Sequence, residues 1–197
     1  RIGYKYISQV GFDANRNKII KEINDEDLQR LDSHINFLRE QIILEKITLE
    51  KDKIPLNWDR QKEDNLFKKK IINFQDLFTK RNLLINNLLL AKIKSYRNSL
   101  SNEDYSLLRV AFSNVLKETN IMSFTNDNWQ GGKPTTWSKH AYWIPSQFCE
   151  VNILSSTNKS FDRIEKSISY NRQHDLEPKM ASDFNELVLD KNIFLKN

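Results

Sequence analysis

Cysteine, glycine and proline are all scarce in this chain of 197 residues, which holds one Cys, four Gly and four Pro. A lone Cys149 excludes an internal disulfide and a thiolate zinc cluster, so the compartment reads as reducing and the chain as soluble and cytoplasmic. Gly3, Gly11 and the pair Gly131-Gly132 fit neither the G-x-G-x-x-G nor the P-loop spacing, which excludes nucleotide binding by either route. No stretch reaches the roughly 18 uncharged apolar residues of a membrane span, and no apolar signal-peptide region opens the chain. Arg1 stands first, without an initiator methionine, and we read the chain as a piece excised from something longer.

What is present is charge and apolar residues in the proportions of a folded domain, 29% and 39%, with a net charge of +5. Lys, Asn and Ile make up about a third of the residues, all encoded by A/T-rich codons, so the bulk charge is weak evidence for a polyanionic partner. Its distribution is more informative. Residues 23–50 sum to −4, whereas 51–73 and 74–100 sum to +3 and +4, so a basic surface is expected between Lys51 and Arg97.

The fold class expected is mainly α, with four or so helices around one core, a long aromatic loop, and one or two short strands or an irregular lead-in over 1–24. Acidic Asp25, Glu26 and Asp27 suit a helix start, and Leu28, Leu31, Ile35, Leu38 and Ile42 follow at spacings of three and four. This predicts a helix of about 25 residues, ended by Pro55, whose narrow seam fits an intramolecular helix pair or a coiled-coil homodimer through 25–50. The stretch from Pro55 to Asn73, with Trp58 and Lys68-Lys69-Lys70, reads as an ordered surface loop. Leu83 to Ile93 is apolar over most of a helical circumference and must be largely buried. Ser101 with Asp104 opens a helix carrying Leu107, Leu108, Ala111, Phe112, Val115 and Leu116, and these two helices are the expected core. Residues 121–145, with three of the four tryptophans and no periodicity, form the long loop. A further helix is expected from near Pro145 to Arg172, with a break near Ser155-Ser156, ahead of an acidic tail over 173–197.

No local motif assembles a catalytic site. His34, His140 and His174 have no neighbours at metal-ligand spacing, and Cys149 lacks a nucleophile's signature and reads as a small buried hydrophobe. The candidate DNA contacts are basic and aromatic. Lys68, Lys69 and Lys70, together with Thr79, Lys80, Arg81 and Asn82 at the start of a buried helix, can meet phosphates, which helix N-termini favour. The structural alternative is that Arg81 pairs with a carboxylate such as Asp76 or Glu150. Lys133, Lys139 and His140, interleaved with Trp129, Trp137 and Trp143, combine phosphate contacts with stacking on an exposed base, or else the tryptophans simply fold the loop onto the helices.

The run Phe74-Gln75-Asp76-Leu77-Phe78-Thr79-Lys80-Arg81-Asn82-Leu83-Leu84 resembles the "DLFTxRNL" segment of bacterial S-adenosylmethionine-dependent DNA methyltransferases that methylate adenine or cytosine amino groups. Further segments resemble the same family in the same order. Ile54-Pro55-Leu56-Asn57-Trp58 is a departed version of its "Pro-x-Trp-Tyr-Pro", Ala111-Phe112-Ser113-Asn114 resembles "Phe-Thr/Ser-Ser", and Asn120-Ile121-Met122-Ser123 resembles "Ser-x-Met". Tyr142-Trp143-Ile144-Pro145 and Glu150-Val151-Asn152-Ile153 resemble "Tyr-x-x-Pro" and "Glu-x-Asn-Val". The resemblance covers roughly 25–172. It implies an insertion between the cofactor motif Phe-x-Gly-x-Gly and the catalytic Asp-Pro-Pro-Tyr, neither of which this chain contains. The implied partners are double-stranded DNA and the parent's catalytic halves. S-adenosylmethionine is implied for the parent and no cofactor for this chain. The alternative reading is a helical protein–protein interaction module that self-associates through the 25–50 seam.

Overall fold

In the computed structural model of the chain, residues 5–15, 17–49, 52–124 and 144–174 are described. Among them the fold is mainly helical, with five α-helices and one two-stranded antiparallel sheet. The lead-in is a hairpin of β1 (Ser8–Phe12) and β2 (Lys18–Glu22). Its turn is held by Asp13, whose carboxylate accepts from the Asn17 backbone N–H at 2.7 Å and from Asn17 Nδ2 at 3.0 Å. Those hydrogen bonds favour the ionised form and lower the Asp13 pKa.

Helix α1 (Asp25–Leu44) opens with a capping box in which Asn24 Oδ1 accepts from Asp27 N–H at 2.9 Å and the Asp27 carboxylate accepts from Asn24 N–H. It ends before the expected 25 residues, and Pro55 is not what stops it. Lys46 takes a left-handed φ of 51°, Lys46 N–H bonds Ile43 O, and Ile47 N–H bonds Ile42 O at 2.9 Å. These are the two bonds of a Schellman motif, with Ile47 folded back as its apolar contact.

The seam residues Ile35, Leu38 and Ile42 are buried against Leu84 of α3 (Lys80–Ser95), with Leu31, Ile85 and Leu88 packed alongside. The intramolecular helix pair is thus present, and those three side chains are taken up by it. Each such burial stabilises by roughly 1.5–3 kcal/mol.

The stretch from Ile54 to Asn73 is not a surface loop. Its ends pair at an isolated Lys53–Asn73 bridge, where Ile54 N–H bonds Ile72 O at 2.8 Å and Phe74 N–H bonds Asp52 O at 3.0 Å. The closed segment contains the short helix α2 (Asp59–Glu63) and turns Ile54, Leu66 and Ile71 inward. There they form a second apolar cluster with Leu77, Ile121 and Met122. Charge density concealed this core, because its apolar anchors are single residues without helical or strand period.

Helix α3 has no fully exposed residue from Arg81 to Ala91. Helix α4 (Asn102–Glu118) starts at the expected Ser101 cap, whose hydroxyl accepts from Asp104 N–H at 3.0 Å. Of its apolar positions only Ala111 and Val115 are buried. Residues 144–152 have no regular secondary structure and bend at Ser146-Gln147, and α5 (Ile153–Gln173) begins later than Pro145 and runs unbroken through Ser155-Ser156. Within it Ser156 and Ser160 are buried, donating to Glu118 Oε2 at 2.6 Å and to Ala111 O at 3.0 Å.

The chain divides into two compact units, Arg1–Ser160 and Phe161–Asn197. In the second, the described residues continue α5, with Phe161 and Tyr170 exposed and the His174 ring stacked on Tyr170 at 4.1 Å between centroids.

Candidate nucleic-acid interface

The start of α3 is where the candidate residues concentrate, and the local sequence explains its geometry. Asp76 accepts from the backbone N–H groups of Ile72 and Asn73, at 3.1 and 2.9 Å, and fixes the 3-10 turn Phe74–Leu77. Thr79 then caps α3, its hydroxyl accepting from Asn82 N–H at 3.2 Å. The same hydroxyl donates to Glu150 Oε1, and Arg81 Nη2 donates to Glu150 Oε2 at 2.6 Å. A helix N-terminus flanked by a guanidinium is a ready anion site. Here the anion is the chain's own Glu150.

Asn82 extends the connection inward. Its Nδ2 donates to Thr119 O at 3.0 Å and to Val151 O at 3.1 Å, so one buried amide ties α3 to the end of α4 and to the segment before α5. One turn on, Asn86 Nδ2 donates to the Thr119 hydroxyl, which donates to Val115 O. Backbone bonds complete the knot, Ile121 N–H to Leu77 O and Cys149 N–H to Ser123 O, both at 2.8 Å. Burial, reinforced by the neighbouring Glu150 charge, pushes the Cys149 thiol up, which suits an inert residue rather than a nucleophile.

Each expected contact can now be located. Thr79 and Asn82 are 1% exposed with internal partners, so they position the helix and do not reach a surface ligand. Arg81 is half-buried against Glu150, the structural alternative named from sequence. Lys80 is exposed on the first turn of α3. Lys68 and Lys70 are exposed and Lys69 half-buried on a tight turn anchored by Leu66 and Ile71 on either side, with Lys70 at φ 58°. Lys133, Lys139, His140 and Trp143 lie outside the described residues.

Sequence reasoning missed Asn86, Thr119, Glu118 and Ser156 as parts of the polar interior. A signal existed for the first. Asn82 and Asn86 stand four apart, on one face of an otherwise apolar helix, where an amide needs a buried partner.

Beside this knot a cleft of about 900 Å³ opens between the hairpin, α1 and the 144–152 segment, with Arg30, His34, Phe78, Arg81 and Phe148 in its walls. Among the described residues no group of three His, Cys, Asp or Glu could hold a metal ion, and no helix is long and apolar enough to cross a membrane. The sequence contains no Phe-x-Gly-x-Gly motif. No family model, curated protein or solved structure matches this chain.

Proposed function

We propose that the chain is a DNA-binding, target-recognition segment of an amino-methylating, S-adenosylmethionine-dependent DNA methyltransferase, working beside catalytic halves that carry the cofactor and the chemistry. One observation carries the reading. The segments that resemble the family, widely separated in sequence, meet at the start of α3: Leu77 with Ile121, Thr79 and Arg81 with Glu150, Asn82 with Val151. Their order along the chain and their convergence support a single structural unit better than chance matches of short runs.

In this reading the knot is a scaffold, and the exposed Lys68, Lys70 and Lys80 are the phosphate contacts. Such contacts position a duplex without reading its sequence. In the parent, the target base leaves the stack to reach the methyl donor.

The test is a fluorescence anisotropy titration of the 197-residue chain with a mixed-sequence duplex, repeated up a salt series. Binding should weaken steeply with salt, and the triple variant Lys68→Glu/Lys70→Glu/Lys80→Glu should reduce both the affinity and the slope. No binding at low salt, or binding indifferent to the triple variant, sinks the proposal. Arg81→Glu is a poor probe, because it also places a second carboxylate against Glu150.

A further inference from the structure

The turn that carries Lys68 and Lys70 also holds a phenyl ring out to solvent. Leu66 is fully buried and Ile71 is 1% exposed, whereas Phe67 between them is 61% exposed. The residues from Phe67 to Lys70 therefore bridge two anchors in one apolar cluster. Backbone bonds fix their path. Lys69 N–H bonds Asn65 O at 3.1 Å, Lys70 N–H bonds Phe67 O at 2.9 Å and Ile71 N–H bonds Leu66 O at 2.9 Å. With Lys70 at a left-handed φ of 58°, the last two bonds form a Schellman motif like the one that closes α1, and Leu66 and Ile71 make its apolar contact. A ligand thus meets a backbone that is already placed.

The surroundings of the ring say what would bury it. Lys68, Lys69 and Lys70 follow it directly. Among the described residues no ion pair or ring contact engages the side chains of Phe67, Lys68 or Lys70. Phe37 is 53% exposed too, but it lies on α1, within the 23–50 stretch of net charge −4, whereas Phe67 lies in the 51–73 stretch of net charge +3. Three consecutive cations select a polyanion. A planar apolar ring beside them selects a polyanion with planar apolar surfaces inside its rows of charge, and a nucleic acid has phosphates outside and stacked bases within.

We propose that Phe67 is a wedge: where this surface meets duplex DNA, its ring inserts between two stacked base pairs while Lys68 and Lys70 take the flanking phosphates. The wedge rests on the DNA-binding reading above and deepens it by naming the residue that opens the stack. An apolar side chain inserted at a step partly unstacks it and kinks the duplex, at least cost where the step is already weak. Local unstacking is also what a base needs in order to leave the helix for the parent's methyl donor. Phe67 is in that sense a positioning residue.

Anisotropy titrations at low salt, with a short matched duplex and the same duplex carrying one mismatched pair, test this. The native 197-residue chain should bind the mismatched duplex about five- to tenfold more tightly, because its stacking is already loosened. Phe67→Ala should bind both duplexes equally and keep the native salt slope, since the phosphate contacts remain. Phe67→Trp, with a larger ring, should keep the preference. Because Phe67 is exposed, both variants should retain the native circular dichroism spectrum. Salt-dependent duplex binding without a mismatch preference, or a preference that survives in Phe67→Ala, overturns the wedge and leaves the DNA-binding reading standing. No binding to either duplex removes both. Flotation with phosphatidylserine vesicles covers the other polyanion with an apolar interior. Vesicle binding that requires Phe67, with duplex binding indifferent to it, overturns the wedge in favour of a membrane surface.

Discussion

Arg81 and Glu150, 69 positions apart in sequence, meet at 2.6 Å at the first turn of α3. Glu150 is almost fully buried and also takes the Thr79 hydroxyl, so both of its oxygens are engaged. An anion-binding corner suggested by sequence is thereby filled from within, and it joins the 144–152 segment to the helix that the rest of the unit packs around.

Removing that carboxylate should have two consequences. Glu150→Ala should cost about 2–4 kcal/mol in chemical denaturation, since it leaves the Arg81 guanidinium and the Thr79 hydroxyl without their acceptor. The vacated corner should also accept a small anion. Sulfate should raise the melting temperature of the variant more than that of the native chain, compared with chloride at equal ionic strength. Equal sulfate responses would show that the corner is not an anion site.

Asn82 serves two carbonyls that no other described donor is shown to reach, Thr119 O and Val151 O. Asn82→Ala should therefore destabilise by about 1–3 kcal/mol, with Asn82→Leu no better despite its apolar fit. Urea unfolding of both variants checks this. A stabilised leucine variant would mean that the carbonyls find water.

The 54–73 segment offers a neighbouring pair with opposite expectations. Leu66 is fully buried and Phe67 is 61% exposed. Leu66→Ala should cost about 2–5 kcal/mol, whereas Phe67→Ala should stay within about 0.5 kcal/mol. Equal losses would place the segment back on the surface.

Asp27 accepts from Lys21 Nζ at 2.8 Å and from Asn24 N–H, and the Lys21 hydrogen bond is the main cause holding its pKa below the ordinary 3.8. A depressed carboxylate pKa stabilises the folded state above the ordinary value, and that contribution is lost as pH falls through the folded-state value. Carboxyl-carbon NMR should find the Asp27 midpoint below 3.8 and Lys21→Met should move it upward. An unmoved midpoint would assign the shift to the helix cap alone.

The elements with a local cause were legible before the structure. The acidic first turn of α1, the Ser101 cap of α4 and the apolar character of α3 each follow from residues within a few positions of one another, whereas the lead-in left short strands and irregular chain both open until the structure paired β1 with β2. Element ends were less so. The left-handed Lys46 that closes α1 looks like any surface lysine in sequence, because nothing local distinguishes it from a helical position until Ile47 finds its apolar cluster.

By itself, then, the sequence determined the helical class, the caps, the pairing seam of α1 and the choice between Asp76 and Glu150 as possible partners of Arg81. Only the tertiary structure decided between those carboxylates, turned Thr79 and Asn82 from surface contacts into interior ties, and made a core of the charged 54–73 stretch. The physical reason is range. Caps and amphipathic faces are set by neighbours a turn away, whereas a buried amide or carboxylate is defined by partners that folding brings from 37 and 69 residues off.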